Sequence, residues 1–196
     1  EIKRLSYNHE IFKHGMGGRL LFAPVDWNSG SKSVLDSATA NGLWLRDLVC
    51  AIPGTHTLTG TDLNPAHFPS STSSNFSYHV QDINKPWPST WTSSFDLVHQ
   101  RLVLSASPQP EAVVKAMADL VKPGGWIEFM EPKDLLADDA GPMAKMNATL
   151  FRDLFKGLGT YYGLPEQFAD WLRESGFEEV QERVFECRLG AKQENE

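Results

Sequence analysis

Cysteine is scarce in this chain: Cys50 and Cys187 are its only two. They cannot build a disulfide framework, so the fold has to hold by burial, as is usual in a reducing compartment. Long apolar runs are missing as well. Nothing approaches the roughly 20 apolar residues of a membrane span, and the opening residues show no apolar signal core, so the expected setting is cytoplasmic. Positive charge is also short, with 18 Lys and Arg against 25 Asp and Glu, a net charge of −7, and no basic run. Without a basic surplus the chain cannot neutralise a phosphate backbone or lie along an anionic membrane. Neither nucleic acid nor membrane is therefore expected as a partner. Metal-ligand spacing is absent too: His56, His67 and His79 are scattered, and no cysteine pair or two-histidine helix spacing occurs.

What is present suits one globular domain. The 196 residues are 41% hydrophobic and 22% charged, enough to bury a continuous core. The spacing predicts a short helix over 5–16, stopped by Gly17-Gly18, then an extended piece over 19–23. A short buried strand follows at 33–36 and a helix at 42–50. Further strands are predicted at 55–62, 76–81, 95–99 and 125–131. The clearest helix runs over 111–121 between Pro110 and the Lys122-Pro123-Gly124-Gly125 stop. Strand and helix alternate, which predicts an α/β fold with a doubly wound, mostly parallel sheet. Beyond Glu131 come helices at 144–158 and 165–175, a last strand within 177–189, and a polar tail over 191–196. Residues 1–24 read as an N-terminal cap and 25–190 as the main domain, with a helical substrate-side segment at 132–176.

In an open α/β sheet, ligands bind beyond the carboxyl ends of the strands, so the strand ends are where function is sought. The first ends in Asp36, followed by the small residues Ser37-Ala38-Thr39-Ala40-Asn41-Gly42, which let a ligand approach the backbone. The second ends in Asp62-Leu63-Asn64-Pro65, where a carboxylate can accept both hydroxyls of a ribose. The third ends in Gln81-Asp82-Ile83, a carboxylate for an exocyclic amine beside an apolar side chain for a purine face. The fourth ends in His99-Gln100-Arg101.

Taken in order, Asp36, Asp62, Asp82 and Pro123-Gly124-Gly125 make the chain similar to the class I S-adenosylmethionine (SAM) dependent methyltransferases. His9-Glu10-Ile11-Phe12, Gly17-Gly18-Arg19-Leu20 and Gly124-Gly125-Trp126-Ile127-Glu128 resemble its fungal secondary-metabolism branch, which includes small-molecule methyltransferases and methyltransferase-like regulators. The resemblance covers nearly the whole chain. It implies a Rossmann-like fold with SAM as cofactor. Asp36, Ser37, Ala38, Asn41 and Gly42 would lie against the methionine part of SAM. Asp62 would bind the ribose with Leu63 beside the adenine, and Asp82 and Ile83 would hold the adenine. Gln100 and Arg101 would pass the sulfonium, and the opening helix around Tyr7 to Phe12 would form a partial lid.

Two departures from the family pattern stand out. Ala38 and Ala40 replace two glycines of the first turn, and each costs roughly 1–2 kcal/mol if its backbone must be left-handed. The two readings are weaker or altered SAM binding and a harmless rearrangement, the second preferred because a methyl is small and Asn41 and Gly42 tolerate positive φ. The family also closes its sheet with an antiparallel hairpin, whereas here one strand over 180–189 remains. Either a segment is missing from this chain or, as the preferred reading, a second copy or a partner chain completes that edge.

For chemistry, His99 is the first candidate as catalytic acid–base residue, weighed against a hydrogen-bonded strand-end histidine. His9 is a further candidate facing the crevice, and Glu131 either orients substrate or caps a loop. Trp44, Trp126 and Trp171 are expected in the core. The stripe of Met143, Met146, Phe151 and Phe155 is expected to pack, or to line an apolar substrate pocket. The leading reading is methyl transfer from SAM to an oxygen, nitrogen or sulfur of a small apolar or aromatic metabolite. The alternatives are a methyltransferase-like regulatory subunit and a SAM-fold enzyme of non-methylating chemistry. A nicotinamide dehydrogenase fits less well, because the turn lacks the glycines a pyrophosphate needs.

Overall fold

The computed structural model describes residues 2–133, 141–160 and 167–187. Helix α1 (Ile2–Gly15) leads through an irregular stretch to β1 (Ser33–Ser37), α2 (Leu43–Ala51), β2 (Thr57–Asp62) and β3 (Phe76–Val80). Then come β4 (Phe95–Arg101), α3 (Pro110–Ala118), β5 (Val121–Met130), α4 (Pro142–Gly157) and α5 (Phe168–Glu174). The five strands form one sheet in the order β3-β2-β1-β4-β5, and every pairing is parallel. The doubly wound parallel sheet expected from the alternation of elements is therefore the fold.

Strand side chains alternate between two helical layers. Leu35 and Val98 face Val113, Val114 and Met117 of α3. Val34, Leu58 and Leu97 face Trp44, Leu45 and Leu48 of α2. Each fully buried leucine contributes roughly 1.5–3 kcal/mol by leaving water. The direction in which strands are added to the sheet reverses between β1 and β4, the switch point at which helices on opposite faces leave a crevice between strand ends. That crevice is where the functional residues collect.

Three expectations need correction. The helix expected to reach residue 121 stops at Ala118, because Leu120 and Val121 enter the core and Val121 starts β5. Pro123-Gly124-Gly125 is then a bulge inside that strand, where the register with β4 shifts. The last strand expected within 177–189 is not formed: 177–187 make no strand pairing, and 188–189 lie outside the described residues, as do 191–196. Phe185 and Cys187 pack against Gly15 at the end of α1 instead. Finally, the α4 stripe does not pack as core. Met143, Met146 and Phe151 are 65%, 55% and 47% exposed, Phe155 is half-buried, and only Ala148 of that helix is buried. Of the helices expected at 165–175 and within 132–176, residues 134–140 and 161–166 lie outside the described residues.

Candidate active site

Asp36 and His99 are register partners on neighbouring strands, so their side chains leave the same face of the sheet side by side. His99 Nδ1 lies 2.7 Å from Asp36 Oδ1, and Thr39 Oγ1 donates to Asp36 Oδ2 at 2.6 Å. The imidazole also stacks flat on Trp44, ring centroids 3.7 Å apart and 1° from parallel. His99 is only 2% exposed. Trp44 is fixed in turn by its indole N–H, which donates to the Leu20 carbonyl at 2.9 Å.

The turn after β1 is held from both sides. Thr39 N donates to the Thr61 carbonyl at 2.7 Å, and Ala40 N donates to Asp62 Oδ2 at 2.8 Å. The other Asp62 oxygen accepts from Asn64 N at 2.9 Å. These contacts force a left-handed backbone on Ala38 (φ 55) and Ala40 (φ 50), with Gly42 at φ 67. Both alanines therefore take the left-handed backbone whose cost the sequence raised, while Asn41 does not. Surrounding hydrogen bonds over-determine the turn and pay for the strain. Ala38→Gly and Ala40→Gly should each raise unfolding free energy by about 1 kcal/mol, read from urea denaturation midpoints. At Gly42 the same freedom cannot be replaced, because a methyl there would collide with the Tyr78 hydroxyl.

A cavity of about 270 Å³ opens above this turn. Asp36, Ala38, Asn41, Asp62, His99 and Arg101, all named from the sequence, line it. The other predicted contacts do not. Ser37 and Gln100 follow the lining residues by one position, so strand alternation turns them to the α3 face, where both are buried. Gly42 is the N-cap of α2, and Leu63 is 67% exposed. Asp82 follows the neighbouring strand end, where Gln81 N donates to the Asp62 carbonyl, but its carboxylate caps its own loop by accepting from Asn84 N. Ile83 packs against the α3-side core.

Helix α1 covers the crevice through Leu5, Asn8, His9 and Phe12. Buried His9 ties this lid to both neighbours: Nε2 meets Asp47 Oδ2 of α2 at 3.0 Å, and Nδ1 meets Arg101 Nη2 at 3.0 Å. A guanidinium only donates, so Nδ1 accepts and the proton sits on Nε2. Burial lowers the His9 pKa despite the bond to Asp47, which keeps the ring neutral. His9, Glu10 and Asp47 bring three ligand atoms within 4.8 Å of one another. Lys13 already donates to Asp47 Oδ2 at 2.6 Å, however, and with Arg101 on His9 the cluster is served by cations of the chain itself.

Two glutamates hold backbone at the far edge: Glu128, which sequence reasoning did not place, and Glu131, for which it left substrate orientation and a loop cap open. Glu128 Oε2 accepts from Phe22 N and Ala23 N, both at 2.8 Å, and pins the segment leaving α1. Glu131 Oε1 accepts from Val103 N and Leu104 N at 2.9 and 2.8 Å, so it caps the loop after β4. Burial pushes its carboxyl up from 4.5 to about 7. The folded state therefore binds this proton more tightly than the unfolded chain does. The stability involved is full below about pH 4.5 and is lost as pH rises through about 7. Glu131→Gln should match the parent near about pH 5 and exceed it by about 3 kcal/mol near about pH 9 in urea titrations.

The sequence pattern of the methyltransferase domain family matches residues 7–182. The chain is 37% identical to N-methyltransferase sirN of Leptosphaeria maculans, over 97% of this chain and 68% of that protein. It is also 37% identical to N-methyltransferase gliN of Aspergillus fumigatus, over 97% of this chain and 70% of that one. Among solved structures, the putative methyltransferase of Haloferax volcanii in complex with its Trm112 activator superimposes with a TM-score of 0.71. That match covers 95% of this chain and 75% of that one at 16% identity, a likeness of fold.

Proposed function

The chain belongs to the methyltransferase domain family, and from that premise we propose that it moves the methyl group of SAM to a nitrogen of a small apolar or aromatic secondary metabolite. The observation that carries the reading is the joining of Asp62 to the β1 turn through Ala40 N beside an open crevice. A carboxylate at the end of β2, next to a turn of small side chains, fits a ribose on one side and an amino-acid tail on the other. When bound, SAM supplies a methyl group on a sulfonium that leaves readily, so the protein's work is alignment and exclusion of water.

Each part of the site has a task in that work. Asp62 holds the sugar, and Ala38 to Asn41 let the cofactor approach the backbone. Helix α1 closes over the top and keeps water out. His99, with its Nδ1 committed to Asp36 and its face to Trp44, positions the turn rather than meeting an acceptor. That assignment favours the hydrogen-bonded strand-end histidine over the acid–base role weighed against it, because a ring 2% exposed and stacked on one face presents little to a substrate. An amine nucleophile needs no base before methyl transfer, only a route for its proton afterwards. The exposed apolar stripe of α4 supports an apolar acceptor.

No helix among the described residues is long and apolar enough to cross a membrane, and the cytoplasmic setting remains part of the proposal. β5 pairs with β4 alone among the described residues, which supports a second copy or partner chain on that edge; the native mass of the particle tests it. The function itself is tested by calorimetry with SAM, followed by transfer of a labelled methyl group to a panel of aromatic amines and amides. Heat on binding and labelled product are expected. Absence of heat at millimolar SAM overturns the reading.

A further inference from the structure

Helix α1 covers the crevice, yet it is not held down by apolar burial. Among its described residues His9 alone is buried, while Ile2 and Tyr7 stand out in solvent. The C-terminal end of the helix has the makings of a pivot. Phe185 and Cys187 pack against Gly15, Met16 is buried, and Gly17 (φ 67) and Gly18 (φ 80) follow in open space. Past these glycines the chain is fixed again, by Trp44 on the Leu20 carbonyl and by Glu128 on Phe22 N and Ala23 N. The seat of α1 on the body centres on His9, which bonds Asp47 of α2 and Arg101 of β4, with Lys13 adding a second bond to Asp47 near the pivot. A lid whose one buried side chain can take a proton is seated by a titratable contact.

That contact requires a neutral ring. Nδ1 accepts from Arg101 Nη2 at 3.0 Å and carries no proton, while Nε2–H donates to Asp47. A second proton has to go on Nδ1, where it meets the guanidinium: two donors and two positive charges 3.0 Å apart, with little water to screen them. The charged groups facing His9 are Asp47 from α2, Arg101 from β4 and Glu10 from its own helix, and Asp47 is shared with Lys13. Burial, the largest influence, and Arg101 lower the ring's pKa below its ordinary 6.5, against the opposite pull of Asp47 and Glu10. With α1 lifted, ring and guanidinium return to water and the ordinary value returns with them. The seated lid therefore binds this proton less tightly than the lifted one. Closure is full above about pH 6.5 and is lost as pH falls through the lowered value. We propose that His9 is a positioning residue that latches the lid: its neutral ring seats α1 over the crevice, and a proton taken from solvent at Nδ1 lifts the helix about Gly17-Gly18. The latch acts on the lid whatever the crevice holds.

Hydrogen–deuterium exchange of the ligand-free chain, with rates referred to the intrinsic rate at each pH, reads the seating of α1. Between about pH 7.5 and about pH 5 the protection of α1 amides should fall roughly tenfold, while α3 and β4 stay within about twofold. His9→Gln keeps a donor and an acceptor at the seat but takes no proton, so its α1 should stay protected across the range. Glu131, which also titrates near neutrality, is present in both proteins, so the difference between them belongs to His9. Should glutamine fail to seat the helix, the parent alone decides: the His9 imidazole, followed by nuclear magnetic resonance, should titrate with the midpoint of the exchange transition. Protection of α1 that ignores pH in the parent, an equal fall in His9→Gln, or a His9 midpoint apart from the exchange transition overturns the latch.

Discussion

Asp62→Asn should weaken S-adenosylhomocysteine binding roughly a hundredfold, about 2.7 kcal/mol, while the protein stays folded. In the parent, one carboxylate oxygen takes Ala40 N and the other Asn64 N, so the charge joins the β1 turn to the loop after β2. Each oxygen keeps a further lone pair for a sugar hydroxyl. Asparagine halves the acceptors, removes the charge and points an N–H₂ at an amide that wants an acceptor. One ribose contact is lost and the turn must shift. Calorimetry reads the affinity, and an unchanged far-ultraviolet dichroism spectrum shows that the loss belongs to the site. Parent-like affinity in this variant would remove Asp62 from the nucleoside site.

A second large effect is expected on stability. Asp36→Ala leaves His99 Nδ1 and Thr39 Oγ1 without their acceptor in a region where Asp36 is 3% exposed. An unsatisfied buried polar group costs about 1–3 kcal/mol, so the pair should lower unfolding free energy by about 4 kcal/mol. Urea denaturation measures it. The same substitution in a His99→Ala background should cost at least about 1 kcal/mol less, because one of the stranded donors has gone. Equal costs in both backgrounds would mean that the pairing of Asp36 with His99 contributes nothing.

The strand ends were legible in advance because each closes a short apolar run with an acid or a polar cluster, as in Val34-Leu35-Asp36 and Leu97-Val98-His99. Alternation then limits which residues share a face, yet the choice between neighbours was out of reach. Ser37 and Gln100 look as suitable as Asp36 and Arg101 until strand register assigns them to the α3 side. The strand expected within 177–189 failed for a related reason: apolar content predicts burial, but an edge also has to be available in register. Glu128 escaped notice, and the choice between loop cap and substrate contact for Glu131 stayed open, because their partners are backbone amides 106 and 27 residues away, which no local pattern records.

Local chemistry alone therefore determined the alternating α/β plan, the small-residue turn after β1 and the acids that end the strands. These follow from propensity and periodicity over short stretches of chain. Tertiary structure decided the rest: the left-handed alanines, the stacking of His99 on Trp44, and the bond from lid residue His9 to Arg101. Each depends on groups far apart in sequence that meet only when β1 and β4 pair and α1 folds over them. Hydrogen bonding and burial act at distances of a few ångströms, and only the folded chain sets those distances.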